Sequence, residues 1–452
     1  MKKANENRMG FEPVLPLLLR MSSPVIFSMF ISSLYNVVDS YFVAQISEKA
    51  LRAVSLSYPI QLVLIAFGVG TGVGINSYAA RLLGQREEEK ASNVASHGLL
   101  LAIATSFVFM LFGLFGVESL FSTFTNDPEV YAMGVQYSRL ISIFSIGSIV
   151  QISQEKTIQS TGRMFVPMLS QLIGSLLNIV LDPIFIFGFF CIPAMGVTGA
   201  AVATFIGQFV GAYICIHYLL IYDGELKITK KHYSFDWDII KEIYKVGLPS
   251  IIMQSIGALL NMGFNYILIP ISEIAVSVLG IYYKLQSFIF LPVFGLTQGV
   301  LPLIAYNYGA KKKTRIDESM NYGFKIAALM MGIGTAIFLL FPEELLQIFN
   351  STPEMIQIGV PMLQITSLCF IPAALGIMYS TFFQALGYGI YSLQMSILRQ
   401  MIVILPLAKL LSYISLESIW LSYPIAEIFA LAYGYYLYKK IYTNKILLLK
   451  EN

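Results

Sequence analysis

Long apolar stretches recur from one end of the chain to the other, separated by short segments that hold most of the charge. A bilayer core is crossed by a helix of about 20 predominantly apolar residues. Read on that scale, the pattern predicts transmembrane helices at 21–46, 53–80, 94–117, 131–154, 166–190, 196–221, 247–271, 275–306, 321–341, 356–384, 391–413 and 417–438. The expectation is an all-α polytopic membrane protein with twelve spans.

The polar pattern repeats as well. Adding 225 to a position in the first half reaches a related residue in the second: Pro24 and Pro249, Asn36 and Asn261, Ser47 and Ser272, Gln61 and Gln286, Gly70 and Gly295, Gly74 and Gly299. Between 24 and 84 this register holds 16 identities in 61 positions without a gap, and it persists to Gln159 and Gly162 against Gln384 and Gly387. The chain therefore reads as two six-helix halves of one fold, inserted in the same orientation as a parallel repeat. The domains expected are an N-terminal lobe at 1–221, a cytoplasmic linker at 222–246 and a C-terminal lobe at 247–452. Residues 235–241 of the linker, with Phe235, Trp237 and Lys241, read equally as a short interfacial helix or as plain connecting chain.

Composition agrees with the pattern. Of 452 residues, 56% are hydrophobic and 12% charged, with a mean hydropathy of +0.71. A soluble domain carries about a quarter charged residues. Three cysteines (Cys191, Cys215, Cys369) and three scattered histidines suggest neither a disulfide framework nor a metal site. A net charge of +3 gives no basis for a nucleic-acid partner. Residues 4–20 are charged at both ends and lead straight into a span, so no cleavable signal is expected.

Charge sets the orientation. Loops after even-numbered spans carry Arg81, Arg86 and Lys90, then Lys156 and Arg163, then Lys227, Lys230, Lys231, Lys241 and Lys245, then Lys311, Lys312, Lys313 and Arg315. Lys2, Lys3 and Arg8 at one terminus and Lys439, Lys440, Lys445 and Lys450 at the other agree. By the positive-inside rule both termini face the cytoplasm, in a cell (inner) membrane.

A carboxylate at the centre of a membrane helix costs at least about 2.5–3.5 kcal/mol. Acids inside the spans are therefore the first candidates for chemistry. Asp39 lies seven residues before the end of span 1 and Asp182 eight before the end of span 5, with Thr204 eight residues into span 6. At a rise of about 1.5 Å per residue the three fall at one depth, roughly 10–12 Å below the outer surface. Tyr35 and Asn178 stand four residues before the two acids, and Asn36 three before Asp39, so each shares a helix face with its acid. Two carboxylates, two amides, a phenol and a hydroxyl suit a proton relay, Na⁺ or a cationic ligand. Asp39, Asn178, Asp182 and Thr204 are the oxygen set for Na⁺. Two acids so placed cannot both carry charge easily, which suits proton exchange.

The repeat makes this chemistry one-sided. The position of Asp39 in the second half is Phe264, and that of Asp182 falls near Leu407. Lys284 in span 8 and Glu427 in span 12 read as an ion pair or hydrogen-bonded contacts that fix the bundle, with a substrate contact as the alternative. Glu155, near Lys156 and Arg163, reads as a cytoplasmic-edge salt bridge. The glycines at 68, 70, 72 and 74 lie within an apolar helix with no following lysine, so close helix packing outweighs phosphate binding. No nucleotide loop, metal motif or nucleophile elbow is found, and an enzyme is not expected.

Several of these stretches resemble the multidrug and toxic compound extrusion (MATE) transporters. They are Tyr35-Asn36-Val37-Val38-Asp39, Arg81-Leu82-Leu83-Gly84, Asn178-Ile179-Val180-Leu181-Asp182-Pro183 and Gly199-Ala200-Ala201-Val202-Ala203-Thr204. Pro302-Leu303-Ile304-Ala305-Tyr306-Asn307-Tyr308-Gly309 and Pro424-Ile425-Ala426-Glu427 continue the likeness through the second half. Within that family the chain is similar to the DinF/MepA-type branch. The resemblance implies an ion site in the first lobe at Tyr35, Asp39, Asn178, Asp182 and Thr204. It implies export of small amphipathic, mostly cationic compounds in exchange for H⁺ or Na⁺, by alternating access, with no cofactor beyond the coupling ion. NorM-type members carry acids in spans 7 and 10 that this chain lacks. A functional monomer in contact with membrane lipid is expected. The rival reading is a flippase for lipid-linked oligosaccharides, which shares the fold but uses a cationic cavity.

Overall fold

The computed structural model describes residues 7–189, 192–221, 224–228 and 234–449. Lys2, Lys3, Cys191, Lys230, Lys231 and Lys450 lie outside the described residues. Within them, extended pairing is limited to one isolated bridge, Phe189 to Ile192, and the chain is otherwise built of helices. The first half contains α1 (Val14–Ile46), α2 (Glu48–Gly84), α3 (Glu88–Phe115), the bent pair α4 (Pro128–Ile143 and Ile146–Gln159), α5 (Phe165–Phe187) and α6 (Val197–Ile221). The second contains α7 (Trp237–Leu268), α8 (Glu273–Gly309), α9 (Lys313–Leu340), the bent pair α10 (Pro353–Ser367 and Phe370–Ala385), α11 (Gly389–Leu411) and α12 (Ser422–Ile441).

By length and hydropathy nine described helices suffice to cross a membrane, and eleven elements do when each bent pair is one span. The twelfth expected span is α12, whose 20 residues include Glu427, Lys439 and Lys440 and so lower its hydropathy. It starts at Ser422, the position that the sequence repeat pairs with Val197, where α6 starts. The same offset relates both ends of α2 and α8 and both ends of α3 and α9. Local chemistry explains the match. Ser47 caps α2 through the Ala50 N–H and Ser272 caps α8 through the Ala275 N–H. Asp127 and Thr352 cap α4 and α10, each followed by a proline in the first turn, where the missing N–H is no loss.

Three spans expected to be regular are not. α4 and α10 bend by 45° and 47° at equivalent points. At the second bend hydroxyls take over carbonyls freed from the helix ladder: Ser367 Oγ donates to Gln364 O at 2.8 Å and Thr335 Oγ1 to Ser367 O at 3.1 Å. α11 widens to a π-helix over Leu398–Ile404, just ahead of Pro406, whose ring would clash with the carbonyl four residues back.

The chain divides into two compact units, Phe27–Ile251 and Met1–Ile26 with Ile252–Asn452. The division falls inside α1 and α7, after Ile26 and Ile251, two positions that the repeat also pairs. Glycines make room for the first turns of each helix. In the first unit a Cβ on Gly74 would lie 2.1 Å from the Ile243 carbonyl oxygen, and one on Gly70 2.4 Å from Ile251 Cγ1. In the second a Cβ on Gly295 would lie 2.4 Å from Ile26 Cγ1 and one on Gly299 2.6 Å from Ser22 Oγ. Gly68 and Gly72, two residues out of phase, face Ile152 and Lys156 of α4 instead. The glycine run thus serves two helix contacts on two faces.

The chain ahead of each first helix is tied down too. Met9 O accepts from Asn307 Nδ2 at 2.9 Å and Arg315 Nη2 at 2.9 Å, and Gly10 O accepts from Lys312 Nζ at 2.8 Å. In the other unit Asn93 Nδ2 donates to Ser234 O at 3.0 Å and the Asp236 N–H donates to His97 Nε2 at 3.0 Å.

Large apolar side chains such as Phe107, Val108, Phe115, Tyr213 and Leu329 are exposed along the helices, as lipid contact requires. Inside the first unit Val43, Ala50, Tyr137, Ile186, Val197, Ala200 and Ala201 form one core cluster. It brings α1, α2, α4, α5 and α6 together at one end of the unit, and the acids lie against it.

Candidate functional site

Asp39 sits on a continuous helix, since Pro24 is tolerated fifteen residues earlier in α1. Asp182 precedes Pro183 on α5, where the missing proline N–H leaves the Ile179 carbonyl without its helical partner. α5 and α6 approach closely because Gly174 faces Gly207: a Cβ on Gly207 would lie 2.5 Å from the Gly174 carbonyl oxygen. That approach carries Thr204 to Asn178.

Asp182 is fully buried and Asp39 9% exposed, and their carboxyl groups are in hydrogen-bond contact. With the Asn178 amide turned to satisfy both its atoms, Nδ2 donates to Asp182 Oδ2 at 2.8 Å. Its oxygen then accepts from the Thr204 N–H at 2.9 Å and the Thr204 hydroxyl at 3.1 Å. Tyr35 brings its hydroxyl to Thr204 from one turn before Asp39. Two carboxylates in contact at low dielectric repel unless a proton lies between them. The remaining oxygen of each, Asp39 Oδ1 and Asp182 Oδ1, is buried and has no partner among the described residues. Such atoms are costly unless a proton, ion or water reaches them.

Of the six candidates, five come together and Asn36 does not. It is exposed, and its Nδ2 donates to Ser32 O at 2.9 Å on its own helix. Two residues belong to the surroundings that sequence reasoning missed. Tyr137, 2% exposed, lies within electrostatic reach of both acids, and its hydroxyl accepts from Gln61 Nε2 at 2.9 Å. Gln61 gives a signal, being an amide inside a span that recurs at Gln286. Tyr137 gives none that separates it from the other tyrosines.

At the equivalent place in the second unit the lining is aromatic. Phe264 stacks on Tyr423 with centroids 5.1 Å apart, Tyr282 meets Tyr423 edge-on at 5.9 Å, and the Tyr283 and Tyr423 hydroxyls are 2.9 Å apart. Leu407 lies on α11 beyond the π-helical turn. One turn after Tyr423, Glu427 accepts from Arg399 Nη1 at 3.0 Å, with side-chain exposures of 8% and 29%. Its partner is thus Arg399, a guanidinium in an apolar span that should have been singled out. Lys284 instead places Nζ 5.8 Å from the centroid of the Phe349 ring. Glu155 differs from the expected salt bridge as well. The bonds it makes are to neutral groups, Gln151 Nε2 at 3.0 Å and Ser170 Oγ at 3.1 Å.

Comparison with known proteins places the chain as a whole. The MatE family profile matches twice, over residues 24–184 and 249–410, once in each half. The multidrug export protein MepA of Staphylococcus haemolyticus is 26% identical over 411 residues, covering 91% of this chain and 90% of that protein. MepA of Staphylococcus aureus strain NCTC 8325 is 26% identical over 416 residues, 92% and 91% of the two chains. Among solved structures, a MOP-superfamily transporter from Pyrococcus furiosus superposes with a TM-score of 0.92 at 25% identity over 99% of both chains. Its description notes a reversed polarity of the binding pocket. The outward-facing form of a multidrug-resistance MATE transporter superposes with a TM-score of 0.90 at 26% identity, over 98% of this chain and 100% of the other. With the profile matched in both halves and the whole fold shared, this chain belongs to the MatE family of multi-pass membrane transporters.

Proposed function

We propose that this protein is a multidrug efflux antiporter, in which Asp39 and Asp182 take up a proton from outside as an amphipathic organic cation is released there. The observation that carries the reading is the carboxyl pair: two acids in contact, buried, each with an unpartnered oxygen. Held together this closely, they need a proton between them. Apart, or ionised, they present negative charge to a cation. The export named in its MepA relatives supports the direction of transport.

A ligand drives a conformational change only through a difference in its affinity for the two states. Here that difference lies in Asn178, which bonds Asp182, and in Thr204 and Tyr35, which bond on from Asn178; all three must re-pair when the proton leaves. The basic loops support an orientation with both termini on the cytoplasmic side of a cell membrane, and each chain carries a complete set of site residues, which supports a monomeric transporter. The acidic site speaks against the lipid-linked oligosaccharide flippase, whose pyrophosphate substrate calls for cations.

A second reading has one observation in its favour. The oxygens of Asp39, Asp182, Asn178 and Thr204 also form a donor set suited to Na⁺. Efflux of a fluorescent organic cation from proteoliposomes, driven separately by a pH gradient and a sodium gradient, decides between the ions. Asp39→Asn and Asp182→Asn should each insert and fold normally yet bring efflux down to the protein-free background. Full efflux in the Asp39→Asn variant would sink the proposal.

A further inference from the structure

A second acid in the first unit is placed so that it can hold a proton of its own. Glu155 is on the second half of α4, Ser170 on α5 and Gly211 on α6. Glu155 is half-buried, whereas Ser170 is fully buried. Ser170 Oγ lies 3.1 Å from Glu155 Oε1 and 3.0 Å from the Gly211 carbonyl oxygen. Gln151 Nε2 lies 3.0 Å from Glu155 Oε1 and 3.3 Å from Ser170 Oγ. A Cβ on Gly211 would come within 2.4 Å of that amide nitrogen, so the amide sits where only a glycine leaves space.

A serine hydroxyl has one proton to give, and here two acceptors lie in range of it. When Glu155 is ionised, Ser170 donates to the carboxylate and the Gly211 carbonyl loses that donor. When Glu155 is protonated, its own O–H donates to Ser170 Oγ, and the Ser170 hydroxyl is free to donate to Gly211. Both contacts become hydrogen bonds only in the protonated form, which then ties three helices together. Glu155 as a residue is only half-buried, so a proton has a short way to travel to its carboxyl.

We propose that Glu155, Ser170 and the Gly211 carbonyl form a second proton-binding site, separate from the Asp39–Asp182 pair, whose protonation locks α4, α5 and α6 at the end of the unit remote from that pair. Ser170 and Asp182 lie on the same helix twelve residues apart, which is about 18 Å. Between them the Gly174–Gly207 contact closes the seam. The two sites therefore share no hydrogen bond or direct contact, and act on one another through the positions of α5 and α6. Other titratable groups face Glu155 from its surroundings. Lys156, next along α4 and packed on Gly72 of α2, bonds Gln159 Oε1 at 3.2 Å. The Cys215 thiol looks on from α6, and Arg163 follows in the turn between α4 and α5. From α5 the neighbour is the neutral Ser170.

The role in transport rests on the proton-coupled reading above, but the site itself is tested apart from it. Infrared difference spectra of the full-length protein, recorded across a pH titration, should show in the wild type a titrating protonated-carboxyl component that survives in Asp39→Asn. That component should vanish in Glu155→Gln and shift in Ser170→Ala, which removes its hydrogen-bond acceptor. In proteoliposomes Glu155→Gln and Ser170→Ala should keep drug efflux but displace its dependence on pH, whereas Asp39→Asn loses efflux at every pH. A titrating band present in the wild type and absent from Glu155→Gln supports the site even if efflux proves indifferent to protons. Spectra of wild type and Glu155→Gln that superpose, or a Ser170→Ala band that does not shift, overturn it.

Discussion

Arg399 and Glu427 show how a buried charge behaves once its partner is known. Removing the arginine strands an acid that is 8% exposed. Breaking a buried pair in this way costs about 3–5 kcal/mol, whereas replacing both partners with apolar residues is often neutral or better. Arg399→Leu should therefore lower the melting temperature markedly, and Arg399→Leu with Glu427→Leu should recover most of it. A single variant that melts with the wild type would show that the pair does not hold α11 to α12. Asp127 gives the pH counterpart outside the membrane. The Val130 N–H first, then the Glu129 N–H and Lys49, hold its carboxyl below the usual carboxylate range. A depressed value in the folded state means that the cap contributes fully at neutral pH and is lost as pH falls through that range. Thr352, its counterpart, does not titrate. Amide exchange in the first turn of α4 should thus speed up on acidification beyond the intrinsic change, while that of α10 follows the intrinsic rate alone. Equal behaviour of the two turns would contradict this. At this scale the sequence was legible where spacing fixes direction. Tyr35 lies about 40° round the helix from Asp39, and Asn36 about 60° to the other side, where it meets no partner from α5. Tyr137 was not legible, because a tyrosine in a span reads first as packing or an interfacial anchor.

Whole helices repeat the lesson with backbone in place of side chains. The glycines at 70 and 74 could be read as a packing face, but their partner could not. Periodicity shows which residues share a face and says nothing of what covers it. The structure shows the first turns of α7 there. Gly74→Ala would drive a methyl group onto the Ile243 carbonyl, 2.1 Å away, with no flexible side chain to yield. Overpacking of this kind costs about 1–3 kcal/mol or more. Gly280, on α8, has nothing within 4 Å of its Cβ position. There alanine should be neutral or stabilise by about 0.5–1 kcal/mol, the ordinary helix preference over glycine. Melting curves of the two variants should move in opposite directions or leave Gly280→Ala unmoved; a Gly74→Ala protein as stable as wild type would contradict the packing. The bends in α4 and α10 escaped the hydropathy pattern for a related reason. Apolar residues continue through both breaks, and what changes is which hydroxyl holds which carbonyl.

At the level of the whole chain, the constant offset between paired positions locates both halves and matches the ends of α2 with α8 and of α3 with α9, and the caps at Ser47 and Ser272 and at Asp127 and Thr352. It does not reveal that the compact units are Phe27–Ile251 and Met1–Ile26 with Ile252–Asn452, since identities report common descent and are silent about contacts. A fragment ending at 236 should be protease-sensitive along α2, and extending it to 251 should restore resistance. Equal resistance of the two fragments would show that the start of α7 adds nothing to that unit. The same exchange sets a schedule for synthesis. Chains grow from the N-terminus and domains tend to fold as they emerge. The first unit stays incomplete until Ile251 has left the ribosome, and the opening segment through Ile26, made earliest, has to wait for α8. A ribosome that stalls in the stretch joining the halves would release a product with the α2 glycine groove uncovered and the start of α1 without a seat. Such a product is one that membrane quality control can tell from a finished chain.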